Sequence, residues 1–118
     1  MGTVANVVVG LVAALHLYFL VLEMFLWNKP YGRKTFGLTP EFAAASASLA
    51  ANQGLYNGFL AAGLIWGLLL GGYGGFHVKL FFLSCVIIAG IYGAITVNKR
   101  ILFIQAIPAL IALILLHL

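Results

Sequence analysis

Charge is scarce in this chain. Of 118 residues only 7% are charged, and the acids number two, Glu23 and Glu41, against six lysines and arginines. A domain that folds in water carries about 25% charged residues, so the composition excludes an ordinary soluble domain. Cysteine is almost absent as well: the single Cys85 rules out an internal disulfide and any Cys-x-x-Cys metal or redox motif. Proline occurs three times, and no long polar or low-complexity stretch marks a linker or a second domain. What is abundant is apolar surface, with 64% hydrophobic residues and a mean hydropathy of +1.16. A hydrocarbon core about 30 Å thick takes roughly 20 apolar residues per helical crossing, which leaves room for about four crossings.

The sequence therefore predicts an all-α integral membrane protein, a four-helix transmembrane bundle forming a single domain over residues 1–118. Helices are expected at about 3–28, 40–70, 76–97 and 101–118. The first ends at Trp27-Asn28-Lys29-Pro30, an aromatic and basic interface signature followed by a helix-stopping proline. Its lack of a basic opening and its length argue for a retained helix over a signal peptide. Tyr31 to Leu38 reads as a polar loop, after which Thr39-Pro40-Glu41 supplies an N-cap, a proline at the first helical position and an acid on the helix dipole. Gly71 to Gly75 breaks the second helix, and Pro108 predicts a kink in the fourth.

The net charge of +4 invites a nucleic-acid reading, but the bases sit at the ends of apolar runs, where they anchor helices to headgroups; no nucleic-acid partner is expected. Lys29, Arg33, Lys34, Lys99 and Arg100 fall on the side of the first and third loops, with Lys79 opposite. That bias places both termini on the non-cytoplasmic side, in the plasma membrane if the host is bacterial.

Isolated polar groups in hydrocarbon cost several kcal/mol unless partnered, so their placement is informative. His16, Leu20, Glu23 and Trp27 lie on one helical stripe. The second helix offers Ser46, Ala50, Gln53 and Asn57 beside Ser48, Asn52 and Tyr56, and the third offers Tyr92. Counting from the predicted helix ends puts His16 level with Asn52 and Gln53, and Glu23 level with Tyr92, Ser46 and Ser48, at roughly 18 and 8 Å depth. Serines, Cys85 and Gln105 suit interhelical hydrogen bonding, and Ala43 to Ala51 and the pair Ala89 and Gly93 suit close helix approach. Glu23 and His16 fit that role poorly, because an ionisable group is a costly way to make a bond that serine makes as well. The bland alternative is a Glu23 pair with Lys29 or Arg33. One histidine and one carboxylate are too few ligands for a tight metal site, and neither metal nor cofactor is expected.

Leu15-His16-Leu17-Tyr18-Phe19, Glu23-Met24-Phe25-Leu26-Trp27, Gly32-Arg33-Lys34 and Ala51-Asn52-Gln53-Gly54-Leu55-Tyr56-Asn57-Gly58-Phe59 together resemble the DUF1304 family of small bacterial and fungal membrane proteins. The resemblance implies the four-helix membrane fold and directs attention to His16, Glu23, Trp27, Asn52, Gln53 and Asn57. It implies no reaction.

Three readings follow. In the first, His16, Glu23, Trp27, Asn52, Gln53, Tyr56, Asn57 and Tyr92 line an intramembrane pocket that binds or transports a small polar or amphipathic ligand; transport through four helices implies a homodimer. In the second, Glu23 and His16 are acid and base of a membrane-embedded, isomerase-like enzyme acting on a lipophilic substrate. In the third, the chain is a structural or accessory subunit whose polar groups only hold helices together. The fading of polar residues beyond Ile107 suits a pocket open to one side, so ligand binding ranks first.

Overall fold

The structure, a computed structural model, describes residues 2–118. It is all-helical among these residues, with α1 at Gly2–Met24, α2 at Pro30–Phe36, α3 at Pro40–Leu70, α4 at Gly72–Thr96 and α5 at Ile107–Leu116, the last preceded by a π-helical stretch over Leu102–Ala106. Helices α1, α3 and α4 are long and apolar enough to cross a membrane. The apolar stretch Leu102–Leu116 is shorter than those three. At 1.5 Å per residue it rises only about 22 Å, so the expected fourth full-length span is not reached by this element alone.

The chain divides into two compact units, residues 15–59 and residues 1–14 with 60–118. In the first unit, α1 stops at Met24, earlier than the expected 28, and its end is marked by the amides of Phe25 and Leu26 both donating to the Val21 carbonyl. The segment expected as a loop is helical over Pro30–Phe36. Pro30 starts that helix instead of merely stopping α1, since its fixed φ suits the first helical position. Gly37 closes it with φ 66°, a left-handed conformation that costs glycine little. The cap of α3 forms as the sequence predicts, with the Phe42 amide donating to Thr39 Oγ at 3.1 Å.

The second unit is built on Val9, Val12, Ala13, Leu64, Leu83, Val86, Ala109 and Ala112, all buried. Two consecutive glycines with positive φ, Gly71 at 63° and Gly72 at 61°, make the α3–α4 turn. They suffice to reverse the chain, so α4 begins at Gly72, four residues before the expected start, and Gly75 is already helical through its amide bond to the Gly71 carbonyl. Of the expected pair Ala89 and Gly93, Gly93 lies close to the last helical stretch, where a Cβ would come 3.1 Å from Ile101 Cγ2, but the closest approach is made at Gly90 and not at Ala89. A Cβ on Gly90 would lie 2.8 Å from Ala106 N, whereas Ala89 is exposed. The expected disturbance at Pro108 takes the form of the π turn. Proline clashes with the carbonyl four residues back, and here the Ile107 amide donates to Leu102, five residues back, which widens the helix just ahead of the ring.

Candidate functional site

The site within residues 15–59 begins with two glycines. Gly54 and Gly58, one helical turn apart on α3, present no side chain to α1. A Cβ on Gly54 would come 2.7 Å from Met24 Cγ, 3.1 Å from Glu23 Cβ and 3.2 Å from the Leu20 carbonyl oxygen. On Gly58 it would come 2.6 Å from Leu20 Cδ1. The two backbones thus approach as in other small-xxx-small membrane pairs. Asn57, on the same face, is only 4% exposed, and its Nδ2 donates to Glu23 Oε1 at 2.5 Å. Glu23 therefore faces a neutral carboxamide. The alternative partner Arg33 is directed elsewhere, with Nη1 donating to the Asn28 carbonyl oxygen at 2.8 Å and to Asn28 Oδ1 at 3.3 Å.

One turn beyond Glu23, the Trp27 indole N–H donates to Ser46 Oγ at 3.0 Å, and that hydroxyl in turn donates to the Phe42 carbonyl. The ring also packs against Phe36 at 4.9 Å between centroids. His16 is fully buried two turns before Glu23, with its ring edge against Phe19 at 5.5 Å. Asn52, Gln53 and Tyr56 are exposed on α3, and Tyr92 is 70% exposed on α4 in the other unit. Of the eight sequence candidates, the structure joins Glu23 with Asn57, places Trp27 against α3 through Ser46, and buries His16. The four others face outward.

The levels counted from the sequence shift accordingly. Glu23 meets Gly54 and Asn57, not Ser46 and Ser48, a displacement of about ten residues or roughly 15 Å along α3. Helix α1 ends early, and the first turns of α3 run past that end to meet Trp27. The inward stripe of α3 is made of Ala43, Ala50, Gly54, Asn57 and Ala61, so small residues define the face and a single amide is carried on it.

Sequence reasoning passed over Gly54 and Gly58, whose Gly-x-x-x-Gly spacing inside a span was the available signal. It read Lys79 only as a charge that orients the chain and did not pair it with Asn6, to which it bonds at 2.8 Å. Lys79 lies within an apolar run, not at its end. Among the described residues no three His, Cys, Asp or Glu side chains gather as a metal site.

The family described as protein of unknown function, DUF1304, matches residues 10–117. An uncharacterised protein of Lactococcus lactis, YpaA, is 30% identical over 115 residues, covering 95% of this chain and 96% of that protein. No solved structure matches.

Proposed function

The chain belongs to the DUF1304 family, and on that footing we propose that it is a four-crossing membrane protein that binds a small polar or amphipathic ligand at the carboxyl of Glu23, with a lipophilic cation the best fit. The observation that carries the reading is the pairing of Glu23 with the neutral amide of Asn57 while Arg33 is engaged with Asn28. An acid near the end of a membrane-spanning helix, partnered by an amide and not by a base, leaves its carboxyl for a cationic ligand to answer. Trp27, in the same unit, supplies an aromatic ring of the kind that suits an organic cation. His16 lies deeper on the same helix. Asn52, Gln53 and Tyr56 are exposed, so the proposed site is narrower than the eight-residue pocket expected from the sequence.

In this reading Leu102–Leu116 completes the fourth crossing with local thinning of the bilayer. The loops carrying Lys29, Arg33, Lys34, Lys99 and Arg100 face the cytoplasm, and both termini lie outside, in a bacterial plasma membrane. Moving the ligand, as opposed to holding it, would require a second copy.

Tetraphenylphosphonium, a lipophilic cation, titrated into detergent-solubilised protein with tryptophan fluorescence as readout, tests the proposal. Wild type is expected to show saturable quenching that Glu23→Gln abolishes and Asn57→Ala weakens, with helix content unchanged by circular dichroism. Equal quenching in wild type and Glu23→Gln, together with unchanged co-purifying small molecules by native mass spectrometry, would leave the structural-subunit reading in its place.

A further inference from the structure

A second buried ionisable group lies outside that site. Lys79, the eighth residue of α4, is 7% exposed, and its Nζ donates to Asn6 Oδ1 at 2.8 Å. Glycines make room for its stem. A Cβ on Gly67 would come 2.6 Å from Lys79 Cγ and 3.1 Å from its backbone nitrogen, and one on Gly75 would come 2.6 Å from the Gly67 carbonyl oxygen. The lysine therefore runs along bare backbone of α3 and ends at an amide.

That amide does not answer its charge. An ammonium carries three donors, and Asn6 offers it a neutral acceptor. Residues 2–14 and 60–118 contain no aspartate or glutamate, since Glu23 and Glu41 both fall within 15–59. No acidic side chain of its own unit supplies a counter-charge. Access exists on the Asn6 side, because Asn6 is exposed. Lys79 is also only about 10 Å along the helix axis from Gly72, so a flexible four-carbon stem brings the ammonium close to headgroup level. With Asn6 Oδ1 accepting from the lysine, Asn6 Nδ2 is left as a donor beside the ammonium.

We propose that Lys79 and Asn6 form a binding site for a phosphate group, the ammonium neutralising one phosphate oxygen and the Asn6 amide donating to a second. A phosphodiester in an anionic lipid headgroup and free inorganic phosphate share this chemistry. The site uses none of the residues placed around Glu23.

The test is native mass spectrometry of wild type, Lys79→Gln, Lys79→Arg and Asn6→Ala released from nanodiscs of phosphatidylcholine mixed with phosphatidylglycerol, with and without added inorganic phosphate. Wild type and Lys79→Arg are expected to retain phosphatidylglycerol in preference to phosphatidylcholine. Lys79→Gln is expected to lower that preference about tenfold, as loss of one charge-assisted hydrogen bond would. Asn6→Ala keeps the cation and loses the second donor, so it should lower retention less, and it serves as the deciding variant if Lys79→Gln fails to fold. Displacement of the lipid by inorganic phosphate would identify the free ion as the natural occupant, and failure to displace it would identify the lipid. Equal retention of the two lipids by wild type without phosphate binding, or retention unchanged in both Lys79→Gln and Asn6→Ala, overturns the proposal.

Discussion

Residues 15–59 and residues 2–14 with 60–118 each contain an ionisable side chain withdrawn from solvent, and each pairs it with an asparagine used in the opposite sense. Asn57 donates its N–H to the carboxyl of Glu23, while Asn6 accepts from the ammonium of Lys79 through its oxygen. A carboxamide can do both, which makes it a partner for either sign of charge without becoming a charge itself. The stems differ. Glu23 is short and its Cβ is held against α3 where Gly54 and Gly58 bring the backbones together, so its carboxyl has little range of movement. Lys79 is long and can shift its head toward the interface. The same neutral partner should therefore matter more to the acid than to the base.

The strongest way to break this comparison is to fill the glycine contacts. Gly54→Leu should destabilise the protein by about 3 kcal/mol through overpacking and separate Asn57 from Glu23. Gly67→Leu should cost a similar amount in the other unit; thermal melts in one detergent measure both. Next, Glu23→Ala leaves the buried Asn57 amide without its acceptor and should cost about 2 kcal/mol, whereas Glu23→Gln keeps an acceptor and should cost clearly less. A double-mutant cycle on Glu23 and Asn57 should give a coupling of about 1 kcal/mol, and a coupling of zero would mean the bond is incidental. Asn6→Ala should fall below that, at about 0.6 kcal/mol, the usual worth of a polar contact between membrane helices. If it costs as much as Asn57→Ala, the distinction between a fixed acid and a movable base fails. Smallest of all, Asn52→Ala and Gln53→Ala should change stability by less than about 0.5 kcal/mol, because both side chains are exposed.

The helices were legible in the sequence because hydropathy and caps are local properties. A first helix, expected over 3–28 and found over Gly2–Met24, and the start of α3 at Pro40 followed from apolar length and from Thr39-Pro40-Glu41. Pairing across helices was not legible in the same way, since it depends on where α1 ends relative to α3. Setting the ends of α1 and α3 at one level, when α3 continues past the end of α1, was enough to set Glu23 against serines instead of Asn57. Polar stripes misled for a second reason: Gln53 and Asn57 share a stripe by spacing alone, yet the glycine face rotates α3 so that only Asn57 points to α1. Lys79 was hidden because a lysine near an apolar helix start reads as a headgroup anchor, and only its buried stem and its bond to Asn6 distinguish the two roles.

The π turn at Leu102–Ala106 is equivalent to one residue inserted into a helix. Every side chain after it is turned by about 100° from where an uninterrupted α-helix would aim it. Ala106, Ala109 and Ala112, which are buried, owe that orientation to the extra residue. Deleting one residue between Leu102 and Gln105 would thus close the π turn into an α turn and leave those alanines aimed as they are, whereas straightening the turn at constant length would act like a twist of the key in a lock: Gln105, Pro108 and Ile111 would swing toward the positions now filled by Ala106, Ala109 and Ala112, and Gly90 would meet a side chain far larger than the methyl it now accommodates.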